Sequence, residues 1–148
     1  MDEDPDDYRP NSKWSLITDP SGRVDDVTVV MEEVAPGDRI PLHRHRVNEA
    51  VMIVSGEAEV TLGDEVVRPV AGSTVFIPAG TVHGHRNVGS DVLRIVAIFP
   101  AVVVDMEMLE RNPAPGTEGA DPQHTVYDMR SGAFWPADED PPGKLPGS

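Results

Sequence analysis

An all-β domain is the fold class this sequence predicts, and three observations predict it. From Val24 to Met108, short segments rich in β-branched residues are bounded by Gly, Pro, Asp and Asn, with no helical periodicity between them. Within that span EAEVTLGDEVV alternates charged Glu57 and Glu59 with apolar Ala58, Val60 and Leu62, then turns at Gly63-Asp64, as a half-buried hairpin does. The segments also recur at the short spacing expected of a sandwich or closed barrel.

In chain order the strand-like segments are VTVVMEEVAPG, NEAVMIVSG, EAEVTLGDEVVRPVAG, STVFIPAG and DVLRIVAIFPAVVVDMEML. Gly37, Gly56, Gly72 and Gly80 fall at their ends, where a turn can require the positive φ that glycine adopts freely. Asn87 is expected to close a turn by bonding backbone. The last segment contains more apolar surface than one small barrel is expected to cover. An exposed edge of that kind tends to be paired, so a homodimer is the expected assembly.

The chain has 148 residues, enough for one domain with its own core. The expected division is an acidic N-terminal tail over 1–13, a barrel over 14–110 and a Pro/Gly/acid-rich extension over 111–148. Of the 26 acidic residues, five lie within the first seven positions and nine follow Val104, so the tails carry much of the −14 net charge. The stretches NPAPGTEGADPQH and PADEDPPGKLPGS cannot bury enough apolar surface to offset their ordering entropy and are expected to be extended or solvating. Between them HTVYDMRSGAFWP carries Tyr, Phe and Trp that can pack on the barrel or on a partner. The acidic balance argues against nucleic acid as a partner. No apolar run approaches the roughly 18 residues of a membrane span, and the start MDEDPDDYRP is acidic where a signal peptide is basic, so no membrane and a cytoplasmic location are expected. The chain has no cysteine, which leaves any metal to imidazole and carboxylate ligands.

Chemistry-bearing residues gather in two stretches. In GDRIPLHRHRVNEAVMIVSG, His43 and His45 stand two apart, and a strand sends such residues to one face. If pairing continues with little distortion, Glu49 keeps the same parity. In GSTVFIPAGTVHGHRN, a turn at Pro78-Ala79-Gly80 precedes His83, which a neighbouring strand can bring to the same place. Three neutral imidazoles and one carboxylate can hold a borderline divalent ion and leave positions for water or substrate. Unligated, Glu49 would be the leading general base. His85 shares the parity of His83, so it is a candidate for substrate contact or proton transfer. Arg44 and Arg46 have outward parity and Arg39 inward parity; His124, in the polar extension, is expected to be a bystander. Val51, Ile53, Val60 and Leu62 are the expected apolar lining, and with only three Phe and two Trp an aromatic cage is not expected.

The first stretch resembles the first cupin motif, G-x5-H-x-H-x3-E-x6-G, at Gly37, His43, His45, Glu49 and Gly56. The second resembles the second cupin motif, G-x5-P-x-G-x2-H-x3-N, at Gly72, Pro78, Gly80, His83 and Asn87. Fifteen residues separate them, as in small microbial one-domain cupins. The resemblance implies a double-stranded β-helix, or jelly-roll barrel, with one divalent metal ion (Fe, Mn, Ni, Cu or Zn) on His43, His45, Glu49 and His83. It also implies a small-molecule substrate. Dioxygen chemistry on an enolic or aromatic molecule, similar to quercetin dioxygenases, is the expected activity. The alternatives are redox-free cyclisation, isomerisation or elimination, similar to polyketide cyclases, and ligand binding without turnover.

Overall fold

The computed structural model describes residues 5–17, 19 and 21–143. The outer ends of the two expected tails, 1–4 and 144–148, lie outside the described residues. Among those described, the chain forms β-strands and no helix, so none is long and apolar enough to cross a membrane. The strands are β1 (Lys13–Ile17), β2 (Thr28–Val34), β3 (Arg39–Arg44), β4 (Glu49–Ser55), β5 (Ala58–Leu62), β6 (Glu65–Val67), β7 (Thr74–Ile77), β8 (His83–Asn87), β9 (Leu93–Phe99), β10 (Val103–Met108), β11 (His124–Asp128) and β12 (Phe134–Pro136).

Two antiparallel sheets enclose the core, one ordered β1-β2-β9-β4-β7 and the other β12-β11-β10-β3-β8-β5-β6. The period-2 pattern drives this arrangement: Val30 and Val34 on β2, Val51 and Ile53 on β4, Val60 on β5, and Leu93, Ile95, Ala97 and Phe99 on β9 all point inward and are buried. The hairpin read from EAEVTLGDEVV is present, with Leu62 opposite Glu65 across Gly63-Asp64. Asn87 closes its turn as expected, donating to the carbonyls of Val34 (2.9 Å) and Asp91 (2.8 Å) and accepting from the Gly89 N–H (2.9 Å).

The apolar run from Val92 to Leu109 breaks at Pro100 into β9 and β10, and neither is an edge. β9 lies between β2 and β4, and β10 between β3 and β11. Both strands are thus paired on each side within one chain, while Val103 and Leu109 remain exposed. The cover on β10 comes from the C-terminal extension, where HTVYDMRSGAFWP packs on the barrel as β11 and β12, burying Val126, Tyr127 and Met129. The N-terminal segment is drawn in as well: Tyr8 N–H donates to Asn112 O (2.9 Å), and buried Asp6 receives Arg111 Nε at 2.5 Å and Gln123 N–H at 2.8 Å.

Gly56, between β4 and β5, has φ +95°, and a Cβ there would stand 2.9 Å from both Leu93 Cα and Val92 O. Gly72 has a similar φ of +91° but open space around it. Gly72→Ala is therefore expected to cost about 1–2 kcal/mol, the penalty of left-handed backbone alone. Gly56→Ala should cost clearly more, because the β9 backbone cannot yield. Paired urea denaturation curves check the order, and equal losses would contradict it.

Candidate metal centre

β3, β4 and β8 bring the two motifs together at one end of the barrel. His43 pairs with His83 across β3 and β8, Glu49 is the first residue of β4, and His45 lies one residue past β3. The Pro78–Gly80 turn is tied to the β3–β4 connection by Gly80 N–H to His45 O (2.8 Å) and Ala79 N–H to Asn48 Oδ1 (2.8 Å). A bulge shapes β3, since Ile40 opposes His85 and His43 opposes His83, with Pro41 and Leu42 between them on one strand against Gly84 alone on the other. β8 comes close at this point because Gly84 has no side chain; a Cβ there would lie 2.9 Å from Ile40 O.

Each candidate imidazole is held by its Nδ1. His43 Nδ1 is 2.6 Å from Pro41 O, His83 Nδ1 is 2.9 Å from Thr81 O, and His45 Nδ1 is 2.5 Å from Asp105 O. A carbonyl only accepts, so each Nδ1 donates a proton, and a neutral ring then has its Nε2 as a free lone pair. His83 Nε2 and His45 Nε2 stand 3.0 and 3.3 Å from Glu49 Oε1. Despite these distances, all three atoms are buried with no hydrogen bond of acceptable geometry among the described residues. Ligands about 2.0–2.2 Å from one ion stand roughly 3.0–3.5 Å from each other. The ligand nitrogens of His43, His45 and His83 lie within 4.8 Å of one another, and the ligand atoms of Glu49, His83 and His85 form a second such group. The donor set thus fits a borderline divalent cation in both spacing and chemistry.

The electrostatics agree with that fit. Burial pushes the Glu49 carboxyl up, but contact with His45 and His83 outweighs it and holds the group well below the ordinary carboxylate range. Burial pushes His45 down, and Glu49 more than reverses this, leaving its pKa raised. His43 is pushed well down, first by burial and then by His83 and His45. His85 is pushed down to about 4 by burial and then by His83.

A cavity of about 240 Å³ opens beside these residues, lined by His43, His45, Glu49 and His85. Its apolar wall comes from Val30, Ile40, Ile95, Ala97, Phe99, Met106 and Met129, and Tyr8, Arg9, Pro10 and Trp14 line it from the N-terminal segment. The Phe99 ring meets His45 edge-on at 5.0 Å. Val51, Ile53 and Val60 are fully inward but do not line the cavity, and Leu62 is only partly buried: these side chains fill the β4–β5 half of the barrel, and the space is left towards β2, β9 and β10. Tyr8, Trp14 and Phe99 lie at the cavity, and of these Tyr8 comes from the segment expected to be a tail.

His85 faces the cavity, as its parity implies, and its buried Nδ1 has no hydrogen-bond partner among the described residues. Arg44 points outward and pairs with Glu107, and Arg46 is largely exposed beside Asp105. Arg39 does not point inward. The bulge inserts one residue between it and His43, reversing its parity, and the guanidinium pairs outside with Glu110 and Asn112. His124 is no bystander, since its Nε2 donates to Asp105 Oδ2 at 2.7 Å. Two cavity residues escaped the sequence analysis. Arg9 holds Asp7 through two N–H groups (2.8 and 2.9 Å) and Glu32 through a third (3.1 Å). Burial pushes the Glu32 carboxyl up despite the guanidinium beside it. A signal existed: Glu32 shares strand parity with Val30 and Val34, which puts a carboxylate on an inward face.

These protonation states give a testable pH dependence. In the metal-free protein Glu49 raises the pKa of His45, whereas burial lowers those of His43 and His85. A ligand must be neutral to bind metal, so uptake should release the proton that His45 carries, and affinity should fall as pH falls through the His45 pKa. Calorimetry in buffers of different ionisation enthalpy measures the count. Uptake that releases no proton and is independent of pH would overturn the assignment.

The sequence profile of the cupin domain matches residues 30–99, which carry both motifs. An uncharacterized protein of Streptomyces coelicolor is 36% identical over 55 residues, covering 37% of this chain and 51% of the relative. Quercetin 2,3-dioxygenase of Bacillus subtilis is 36% identical over 59 residues, covering 39% of this chain and 18% of that enzyme. The chain spans about half or less of the length of the curated relatives it matches. Among solved structures, the polyketide cyclase RemF of Streptomyces resistomycificus superposes with a TM-score of 0.57 at 21% identity, over 75% of this chain and 72% of that one, a likeness of fold. The paired motifs, the two sheets that enclose them and the likeness of fold converge on a double-stranded β-helix, within which residues 30–99 match the cupin domain.

Proposed function

We propose that this chain is a metal-dependent cupin enzyme, a small dioxygenase acting on an enolic or aromatic small molecule. The observation that carries the reading is the cavity itself, in which His43, His45 and Glu49 share one small space with an apolar wall that includes Phe99, Trp14 and Tyr8. At about 240 Å³ it falls below the roughly 300–1,000 Å³ typical of drug-sized ligands, which favours a molecule of about one ring. The partial likeness to quercetin 2,3-dioxygenase supports the same class.

His43, His45, Glu49 and His83 would hold the ion. A divalent ion there supplies Lewis acidity and, where redox-active, electrons for dioxygen chemistry. The chain's own residues do the rest. The aromatic and aliphatic wall, to which the Tyr8–Pro10 segment contributes, orients a flat substrate and excludes water. His85, neutral and with Nδ1 unengaged, can take a proton from an acidic enol as it binds.

That same histidine favours a second reading, redox-free isomerisation or cyclisation in which His85 or Glu49 moves a proton between substrate carbons. Oxygen uptake separates the two. Fe(II)-loaded protein given a panel of catechols, 1,3-diketones and flavonols is expected to consume oxygen in proportion to substrate, with a loss of about a hundredfold or more in His43→Ala. Turnover by Zn-loaded protein without oxygen would favour the second reading. In that case His85→Phe should lower the rate by roughly a hundredfold or more while metal content stays constant.

A further inference from the structure

The three candidate imidazoles are not anchored alike. His43 and His83 each donate to a carbonyl two residues back in their own strand or turn, so local backbone sets their orientation. His45 donates to a carbonyl 60 residues away, that of Asp105 on β10. Asp105 grips the same place twice, because its Oδ1 also accepts the N–H of Arg46 at 2.6 Å. The main chain and side chain of one residue thus fix both the His45 ring and the backbone next to it. The Asp105 carboxylate is buried, and the short contact to its Oδ2 is His124 Nε2 at 2.7 Å, from β11; Arg46 Nε stands farther off at 3.7 Å. β11 lies outside the profile match, in the extension that pairs with β10.

We propose that His124 is a positioning residue for the metal centre, holding Asp105 so that its carbonyl keeps the His45 Nε2 aimed at the ion. The C-terminal extension then does more than cover the β10 edge. It sets the long-range contact on which one ligand depends, whereas the other two histidines are indifferent to it. A buried carboxylate that loses its N–H donor turns towards water or another donor, and Asp105 cannot do so without moving the carbonyl that holds His45. The inference rests on the metal-site reading above.

Two readouts test it without any substrate. In metal-free protein, the imidazole ¹⁵N spectrum of wild type should show His45 with a slowly exchanging Nδ1–H, and His124→Ala should lose that protection while His43 and His83 keep theirs. In Co(II) titrations against a chelator, His124→Ala should bind about tenfold more weakly, with an altered visible spectrum, and His124→Gln, which restores an N–H donor, should recover most of the affinity. Asp105→Asn, which keeps the carbonyl but removes the anion, serves as the second variant and should reproduce the loss. Arg44→Ala breaks the Arg44–Glu107 pair on the outer side of the same two strands and serves as the control for general weakening. Unchanged Co(II) affinity and unchanged His45 protection in His124→Ala would overturn the proposal, as would an equal loss in Arg44→Ala. A wild type that takes up no Co(II) would instead overturn the metal site, and this inference with it.

Discussion

A buried carboxylate facing two imidazole lone pairs is the constraint around which this end of the barrel is built. Glu49 is almost fully enclosed, and an ionised carboxylate in such a place is costly unless matched by positive charge. The rings cannot turn to relieve it, because each Nδ1 is already committed to a carbonyl. Without metal, the nearby carboxylate raises the pKa of His45, whose Nε2 stands 3.3 Å from Glu49 Oε1. A divalent cation would supply the matching charge, reaching both nitrogens and the carboxylate at once. The framework therefore keeps unfavourable neighbours together, in an arrangement that could hold a cation.

Keeping them together depends on one extra residue in β3. The bulge between Ile40 and His43 lets Ile40 point into the cavity beside His85 while His43 faces His83. It also turns Arg39 out, so a guanidinium that would have competed with the cation ties the barrel to Glu110 and Asn112 instead. Gly84 permits the close approach of β8 that this geometry needs.

The two terminal segments complete the site from outside the motif region. The N-terminal stretch brings Tyr8, Arg9 and Trp14 to the cavity and is clamped by the buried Asp6–Arg111 pair. Breaking such a pair strands a charge, so the segment is held where it lies. Their acidic composition suggested solvated tails. Composition averages over residues, however, and here a few specific partners, Asp6, Arg9 and Arg111 among them, give the segments their order.

The sequence by itself determined the all-β class, the hairpin at Gly63-Asp64, the turn role of Asn87 and the membership of His43, His45, Glu49 and His83 in one cluster. Those features repeat over two residues or sit at fixed intervals, and local backbone geometry carries them directly into space. Tertiary structure alone decided where Arg39 points, which side chains wall the cavity and what holds His45. A bulge reverses parity without leaving a mark in the local pattern. The lining depends on which half of the barrel other side chains already fill, as Val51, Ile53 and Val60 do. The Asp105–His124 contact joins residues on two strands whose pairing no short-range spacing specifies, and only the folded sheet brings them within 2.7 Å.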